Sequence, residues 1–171
     1  FNFFVPVDVV VSLSMDGRLA TRIVDLSSNT LADILAYPKN PLPKAHNVLS
    51  NEKILDIGPI SAAYIAGAVK MSKTIIWGGT AGVTETKGAA GAQAPFGHGT
   101  RLLAEAMIGT TNKHKNKPFT IVGGGDTVAY VQAENLLDDF NHVSTGGSAS
   151  LLLMAGKKLP GIEALLDKHT A

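Results

Sequence analysis

The sequence predicts an α/β fold, a three-layer doubly wound parallel sheet, on three observations. Short β-branched runs alternate with helical stretches along the chain, a spacing that implies parallel strands joined by crossovers. Two of the strands run straight into glycines that open a helix, in IVGGGDTVAYVQ (Ile121 to Gln132) and HVSTGGSASLLL (His142 to Leu153). The 171 residues, 45% of them hydrophobic, suffice for one domain with a sizeable core.

Phe3 to Leu13 is rich in β-branched and aromatic residues, as a strand buried on both faces requires. From Ser14 to Glu52 the apolar residues keep no period, and Pro38, Pro41 and Pro43 break any helix. That stretch is expected to be mainly loop with one or two short strands. Ile54 to Ile57 is a short strand, after which Gly58 and Pro59 turn the chain into an alanine-rich helix, Ser61 to Met71. Lys73 to Trp77 is the next strand, Gly78 to Gly97 a long loop, Thr100 to Ile108 a helix and Lys113 to Lys117 a solvated basic turn. The strand Phe119 to Val122, the helix Thr127 to Glu134, the strand His142 to Ser144, the helix Ala149 to Ala155 and a last helical stretch, Pro160 to Asp167, complete the series.

Composition removes several function classes. A net charge of +1 gives no electrostatic case for nucleic acid or an anionic membrane. Without cysteine there are neither disulfides nor thiolate metal sites. His46, His98, His114, His142 and His169 show no metal-ligand spacing and are expected on the surface or in packing. No apolar run approaches the roughly 20 residues that span a bilayer. The N-terminus lacks the basic region and cleavage site of a signal peptide and reads as a buried strand; the expected location is the cytoplasm.

The two glycine turns carry the chemistry. A helix start leaves backbone N–H groups unpaired at the positive end of the dipole, and glycines let a phosphate come close to them. Two such turns point to one polyphosphate site. Asp126 either caps its helix or holds a divalent cation bridging phosphates, and Thr127 adds a hydroxyl. In a parallel sheet the loops at the strands' carboxyl ends form the ligand crevice. Gly78 to Gly82, Gly123 to Asp126 and Thr145 to Ser148 all follow strands.

The GGGDT of Gly123 to Thr127, the HVSTGG of His142 to Gly147, PVD at Pro6 to Asp8, LDIGP at Leu55 to Pro59 and LPGIEALLDK at Leu159 to Lys168 stand in one order. Together they resemble the C-terminal, nucleotide-binding domain of phosphoglycerate kinase. The resemblance implies a Rossmann-like sheet, the incomplete C-terminal domain of a two-domain kinase fold. Residues 1–171 would then be part of that domain, with no counterpart of the N-terminal 3-phosphoglycerate-binding domain. It implies a glycolytic kinase that moves a phosphoryl group between ATP with 3-phosphoglycerate and ADP with 1,3-bisphosphoglycerate, with Mg²⁺ on the nucleotide. The remainder of the same polypeptide would supply the second substrate's site, and the fragment alone would be inactive. By the same resemblance Gly78, Gly79, Val83, Glu85, Gly123, Gly124, Gly125, Asp126 and Thr127 bind nucleotide. Val83 would line the adenine pocket, Glu85 would hold the ribose, Thr127 the phosphates, and Asp126 the metal-nucleotide. Gly146 and Gly147 would face the transferring phosphoryl group as catalytic backbone.

The chain also departs from the family pattern. The family's WNGPxGVFE is WGGTAGVTE here, Trp77 to Glu85, which places Gly78 for an asparagine, Thr80 for a proline and Thr84 for a phenylalanine. Ser148 stands for a third glycine, Leu152 for an acidic residue, and TKGAAGAQAP, Thr86 to Pro95, is a longer connection whose composition suggests a mobile excursion. Two readings follow: the C-terminal piece of a working kinase, or a catalytically inactive relative serving as a nucleotide-sensing or interaction module.

Overall fold

The computed structural model describes residues 3–26, 48–87, 94–109 and 117–166. The chain divides into two compact units, the first made of Phe1–Ser72 and Thr80–Lys117, the second of Lys73–Gly79 and Pro118–Ala171. Pro38, Pro41, Pro43, His46, His114 and His169 lie outside the described residues, as do most of the basic turn at 113–117 and residues 88–93 of the long connection.

The first unit holds strands β1 (Asp8–Ser12), β2 (Thr21–Asp25) and β3 (Lys53–Ile57), then helices α1 (Pro59–Met71) and α2 (His98–Ile108). Here the expectation of parallel strands gives way. β1 lies between β2 and β3 and is antiparallel to both. β1 and β2 are joined by eight residues with no helix, enough for an antiparallel return but not for a parallel crossover. β2 is the short strand expected between Ser14 and Glu52. Arg22 on β2 donates from Nε and Nη2 to both carboxylate oxygens of Glu52, at 2.6 and 2.5 Å, and Glu52 also accepts the Leu49 N–H. The first strand is shorter than expected. Phe3 is 91% and Val5 74% exposed, and Pro6 has no N–H with which to extend the ladder toward them.

Val9, Val11 and Val24 form a small core on one side of this sheet. α1 packs on β1 and on α2; Ala62, Ala66 and Val69 of α1 and Leu103, Ala104 and Met107 of α2 are buried. Pro59 stands at the first position of α1, where a missing N–H removes nothing. α2 ends on Gly109 at φ 71°, whose N–H returns to the Glu105 carbonyl.

Both helices begin after a glycine, Gly58 and Gly97, that brings no capping side chain. A buried strand aspartate caps each instead. Asp8 accepts the N–H groups of Ile60 at 3.0 Å and Ser61 at 2.7 Å together with the Ser61 hydroxyl at 2.5 Å. The Ser61 oxygen in turn accepts the N–H groups of Val7 and Asp8. A side chain at Gly58 would overlap the Asp8 carboxylate, so glycine is required there.

The second unit bears out the parallel sheet: β4 (Thr74–Gly78), β5 (Phe119–Gly123) and β6 (His142–Val143) run parallel in that order. Helices α3 (Gly125–Ala133), α4 (Ser148–Met154) and α5 (Pro160–Glu163) complete it, with α3 and α4 packed on β5. Trp77 is buried on one face of the sheet between Tyr130 and Phe140, with ring centroids at 6.1 and 5.9 Å. β6 is locked to β5 by side chains. Thr120 donates its N–H and hydroxyl to Asn141 Oδ1, and its oxygen accepts the Asn141 N–H. Among the described residues, no helix is long and apolar enough to cross a membrane. His98 and His142 are exposed, as expected.

Replacing Asp8 by alanine strands two helix amides and a hydroxyl in a buried place. We expect Asp8→Ala to lower the unfolding free energy by about 3 kcal/mol, read as a reduced urea midpoint at unchanged slope. A midpoint within error of the parent would show that water replaces the carboxylate without loss.

Candidate functional site

In the second unit the carboxyl ends of β4 and β5 lie side by side, with Gly78 paired in register to Gly123. The Gly79 N–H donates to Thr127 Oγ1 at 2.7 Å, and the Gly79 carbonyl accepts the Trp77 indole N–H at 2.8 Å. The turn after β4 is therefore fastened both to α3 and to the aromatic cluster. Thr127 is fully buried, and its oxygen serves the Gly79 amide.

The glycines of the site divide by what the fold asks of them. Gly78 and Gly123 are small because α4 sits on them. A Cβ at Gly78 would come within 2.9 Å of Leu151 Cδ1, and one at Gly123 within 2.8 Å of Ser150 Oγ. Gly124 at φ 94° and Gly147 at φ 55° precede the helices in backbone conformations that side chains disfavour. Gly125 answers to neither demand: it is exposed, a Cβ there would meet nothing within 4 Å, and its φ is not positive. Gly146 is also exposed, with no tight contact awaiting a Cβ; its N–H donates to Ser144 Oγ at 3.2 Å.

The helix after GGG starts at Gly125, two residues earlier than expected. A left-handed Gly124 makes the turn, and a glycine at the first helical position hides the start from propensity. Asp126 is thus in the first turn and not at the cap. It is exposed, and it makes no hydrogen bond or ion pair among the described residues. The capping alternative is not realised. The first bond into α3 is from Val128 N–H to the Gly124 carbonyl. The amides of Gly125, Asp126 and Thr127 therefore have no acceptor among the described residues, in contrast to the starts of α1 and α2. No group of three or more His, Asp or Glu among those residues could hold a metal, so a cation at Asp126 would have to arrive with its own ligand.

Val83 and Glu85 belong to the first unit, Val83 half-buried and Glu85 exposed. The Trp77 to Glu85 motif thus changes unit after Gly79. In the first unit, the Val83 N–H donates to the Leu55 carbonyl at 2.9 Å. The Ala81 and Gly82 amides donate to Thr100 Oγ1 at 3.0 and 3.2 Å. Asp56, next to Leu55, accepts the Gly99 N–H at 2.9 Å and the Ile57 N–H at 2.8 Å. Burial pushes the Asp56 carboxyl above the usual carboxylate range, against the opposing pull of the Gly99 and Ile57 amides and of His98. Asp8 and Asp56 stand inside the PVD and LDIGP motifs, but their part in capping helices was not read from them, and Thr100 was given no role. For the two aspartates the signal was a lone polar residue within an apolar run; Thr100, between Gly99 and Arg101, had none of that kind.

The family model described as phosphoglycerate kinase matches residues 1–157. The chain belongs to the phosphoglycerate kinase family. It is 42% identical over 119 residues to a phosphoglycerate kinase of Orientia tsutsugamushi (strain Ikeda), covering 70% of this chain and 27% of that protein. To a phosphoglycerate kinase of Chloroflexus aurantiacus it is 36% identical over 166 residues, covering 97% of this chain and 34% of that one. The solved structure of phosphoglycerate kinase from Coxiella burnetii superposes with a TM-score of 0.68 at 33% identity, covering 94% of this chain and 33% of that chain. The chain therefore spans about a third of the length of the phosphoglycerate kinases it matches.

Two outcomes test this geometry. Gly123→Ala forces Ser150 aside and should destabilise by about 1 kcal/mol, whereas Gly125→Ala enters open space and should leave the melting temperature unchanged or slightly raised; equal losses would deny the division. The folded Asp56 carboxyl keeps its proton to higher pH than the unfolded one, so ionising it opposes folding. Stability relative to Asp56→Asn should accordingly fall as pH rises through and above the ordinary carboxylate range, up to the raised folded value. A difference flat between pH 4 and 7 in denaturant titrations would contradict the burial effect.

Proposed function

We propose that the chain supplies part of the nucleotide site of a phosphoglycerate kinase, a phosphotransferase between ATP with 3-phosphoglycerate and ADP with 1,3-bisphosphoglycerate. Family membership supports the reaction class. The observation that carries the nucleotide assignment is the start of α3, three amides without an acceptor beside an exposed, unpartnered carboxylate.

In the first unit the same problem is solved internally, by Asp8 on α1 and Asp56 on α2. At α3 nothing among the described residues does so, and a phosphate oxygen has the charge and size to take that place. Gly125 leaves the approach clear. Asp126, one residue on, fits a Mg²⁺ carried by the nucleotide, because its carboxylate is neither spent on the backbone nor neutralised by a cation. Bound there, Mg²⁺ would offset charge on the transferring phosphates. Gly124 and Gly125 would shape the phosphate turn, and Gly78 and Gly79 would border it. Thr127 would act chiefly by holding Gly79. Gly146 and Gly147, at the start of α4, are assigned to the transferring phosphoryl group, and Val83 and Glu85 to adenine and ribose. The second substrate and the rest of the catalytic machinery would come from sequence matching the remaining length of the relatives. Location in the cytoplasm follows the glycolytic assignment.

One observation favours the inactive-module reading. Leu151 lies within 2.9 Å of where a Cβ at Gly78 would stand, so the space of the family's asparagine is taken by an apolar side chain. ATP formation from ADP and 1,3-bisphosphoglycerate, assayed in the full-length protein that carries the remaining length of the relatives, decides between them: a robust rate sinks the module, and no rate with intact MgADP binding sinks the kinase.

Asp126→Asn should weaken MgADP binding at least roughly tenfold, about 1.4 kcal/mol, while metal-free ADP binding and the melting temperature stay put. Calorimetric titration with and without Mg²⁺ reads this directly. An equal loss in both would remove Asp126 from the metal, and a lowered melting temperature alone would return it to a folding role.

A further inference from the structure

We propose that Thr100, held in place by Asp56, is the positioning residue for the loop that carries Val83 and Glu85. The proposal rests on the nucleotide reading above, and it adds residues to which the resemblance gives no role.

Thr100 is the third residue of α2 and is fully buried. Its oxygen accepts two successive loop amides, Ala81 at 3.0 Å and Gly82 at 3.2 Å, and the next amide, Val83, goes to the Leu55 carbonyl at 2.9 Å. Three consecutive residues leading to Glu85 are therefore tied down by their backbones, two to one hydroxyl and one to β3. Asp56 accepts the Gly99 amide at 2.9 Å and so fixes the turn of α2 from which Thr100 projects. The carboxylate is also the floor on which the loop rests. A Cβ at Gly82 would stand 2.5 Å from Asp56 Oδ1 and would overlap the Phe96 carbonyl. The loop lacks internal stiffness of its own, with Thr80 at a position where proline would fix φ. Its shape is imposed from β3 and α2.

A hydroxyl that only stabilised the first unit would, on removal, lower the melting temperature without selecting among ligands. A positioning hydroxyl affects recognition of the nucleoside and spares recognition of phosphate. The test uses Thr100→Val, which keeps shape and loses the acceptor, and Thr100→Ser, which keeps the acceptor. MgADP and magnesium tripolyphosphate are titrated calorimetrically into each, and amide exchange is followed at Ala81 and Gly82.

Thr100→Val should lose roughly tenfold in MgADP affinity, the effect of about one net hydrogen bond, with the loss confined to MgADP and faster exchange at both amides. Thr100→Ser should restore both readouts. Unaltered MgADP affinity in a folded Thr100→Val, a parallel fall for tripolyphosphate, or no rescue by serine overturns the positioning role while parent binding keeps the nucleotide reading alive. Failure of the parent protein to bind MgADP overturns that reading and this proposal with it. Unchanged exchange at Ala81 and Gly82 overturns the proposal whatever the ligands do.

Discussion

A helix that begins after glycine brings no capping side chain of its own, and among the described residues four helices begin that way, after Gly58, Gly97, Gly124 and Gly147. Their leading amides must find an acceptor elsewhere or remain open. In the first unit the acceptor is a buried strand carboxylate each time, Asp8 for α1 and Asp56 for α2. This choice also settles how strand and helix pack. Asp8 forces residue 58 to be glycine, and Asp56 does the same at Gly82 and at Gly99, where a Cβ would stand 2.5 Å from its oxygen. The second unit lacks such a carboxylate at α3 among the described residues, and the leading amides there have no acceptor among them.

The glycines after the strands look alike in sequence, but they answer to different forces. Gly78 and Gly123 yield room to α4, Gly124 and Gly147 adopt turns, and Gly125 alone of the GGG has neither duty. Beneath them Trp77, Tyr130 and Phe140 fill one face of the sheet, and the indole N–H holds the Gly79 carbonyl. The carboxyl ends of β4 and β5 are accordingly backed by an aromatic layer, to which the turn after β4 is tied by the indole hydrogen bond.

The second unit was legible because its strands and helices are local and periodic: β4, β5, β6, α3 and α4 fall within a residue or two of where pattern puts them. The same holds for α1 and α2 in the first unit. The antiparallel sheet was not legible. β2 is five residues of mixed exposure within a stretch without period, and only its pairing with β1 makes it a strand. Phe3 and Val5 misled because side-chain type speaks of burial while Pro6 speaks of pairing, and pairing won. At the site, GGGDT and STGG stood out as glycine-rich words. The roles of Asp8 and Thr100 did not, since each acts on residues 18 or more positions away in sequence. Asp56 reaches Gly99 across 43 positions, a partnership no local pattern encodes. Thr127 was visible as a hydroxyl near phosphate, but its tie to Gly79 was not.

β4 enters the second unit as an isolated segment, Lys73–Gly79, with first-unit sequence on both sides. A ribosome releases it well before β5, its partner, exists. In that interval Ile75, Ile76 and Trp77 form an apolar strand with an unmatched backbone, and α2, the last helix of the first unit, emerges only part-way through it. Such a segment is a template for misplaced pairing, and non-local closure of this kind is slow. The half-built chain is thus at its most vulnerable to aggregation between the emergence of Trp77 and that of Val122, and a holdase that acts on this protein would find its client segment there.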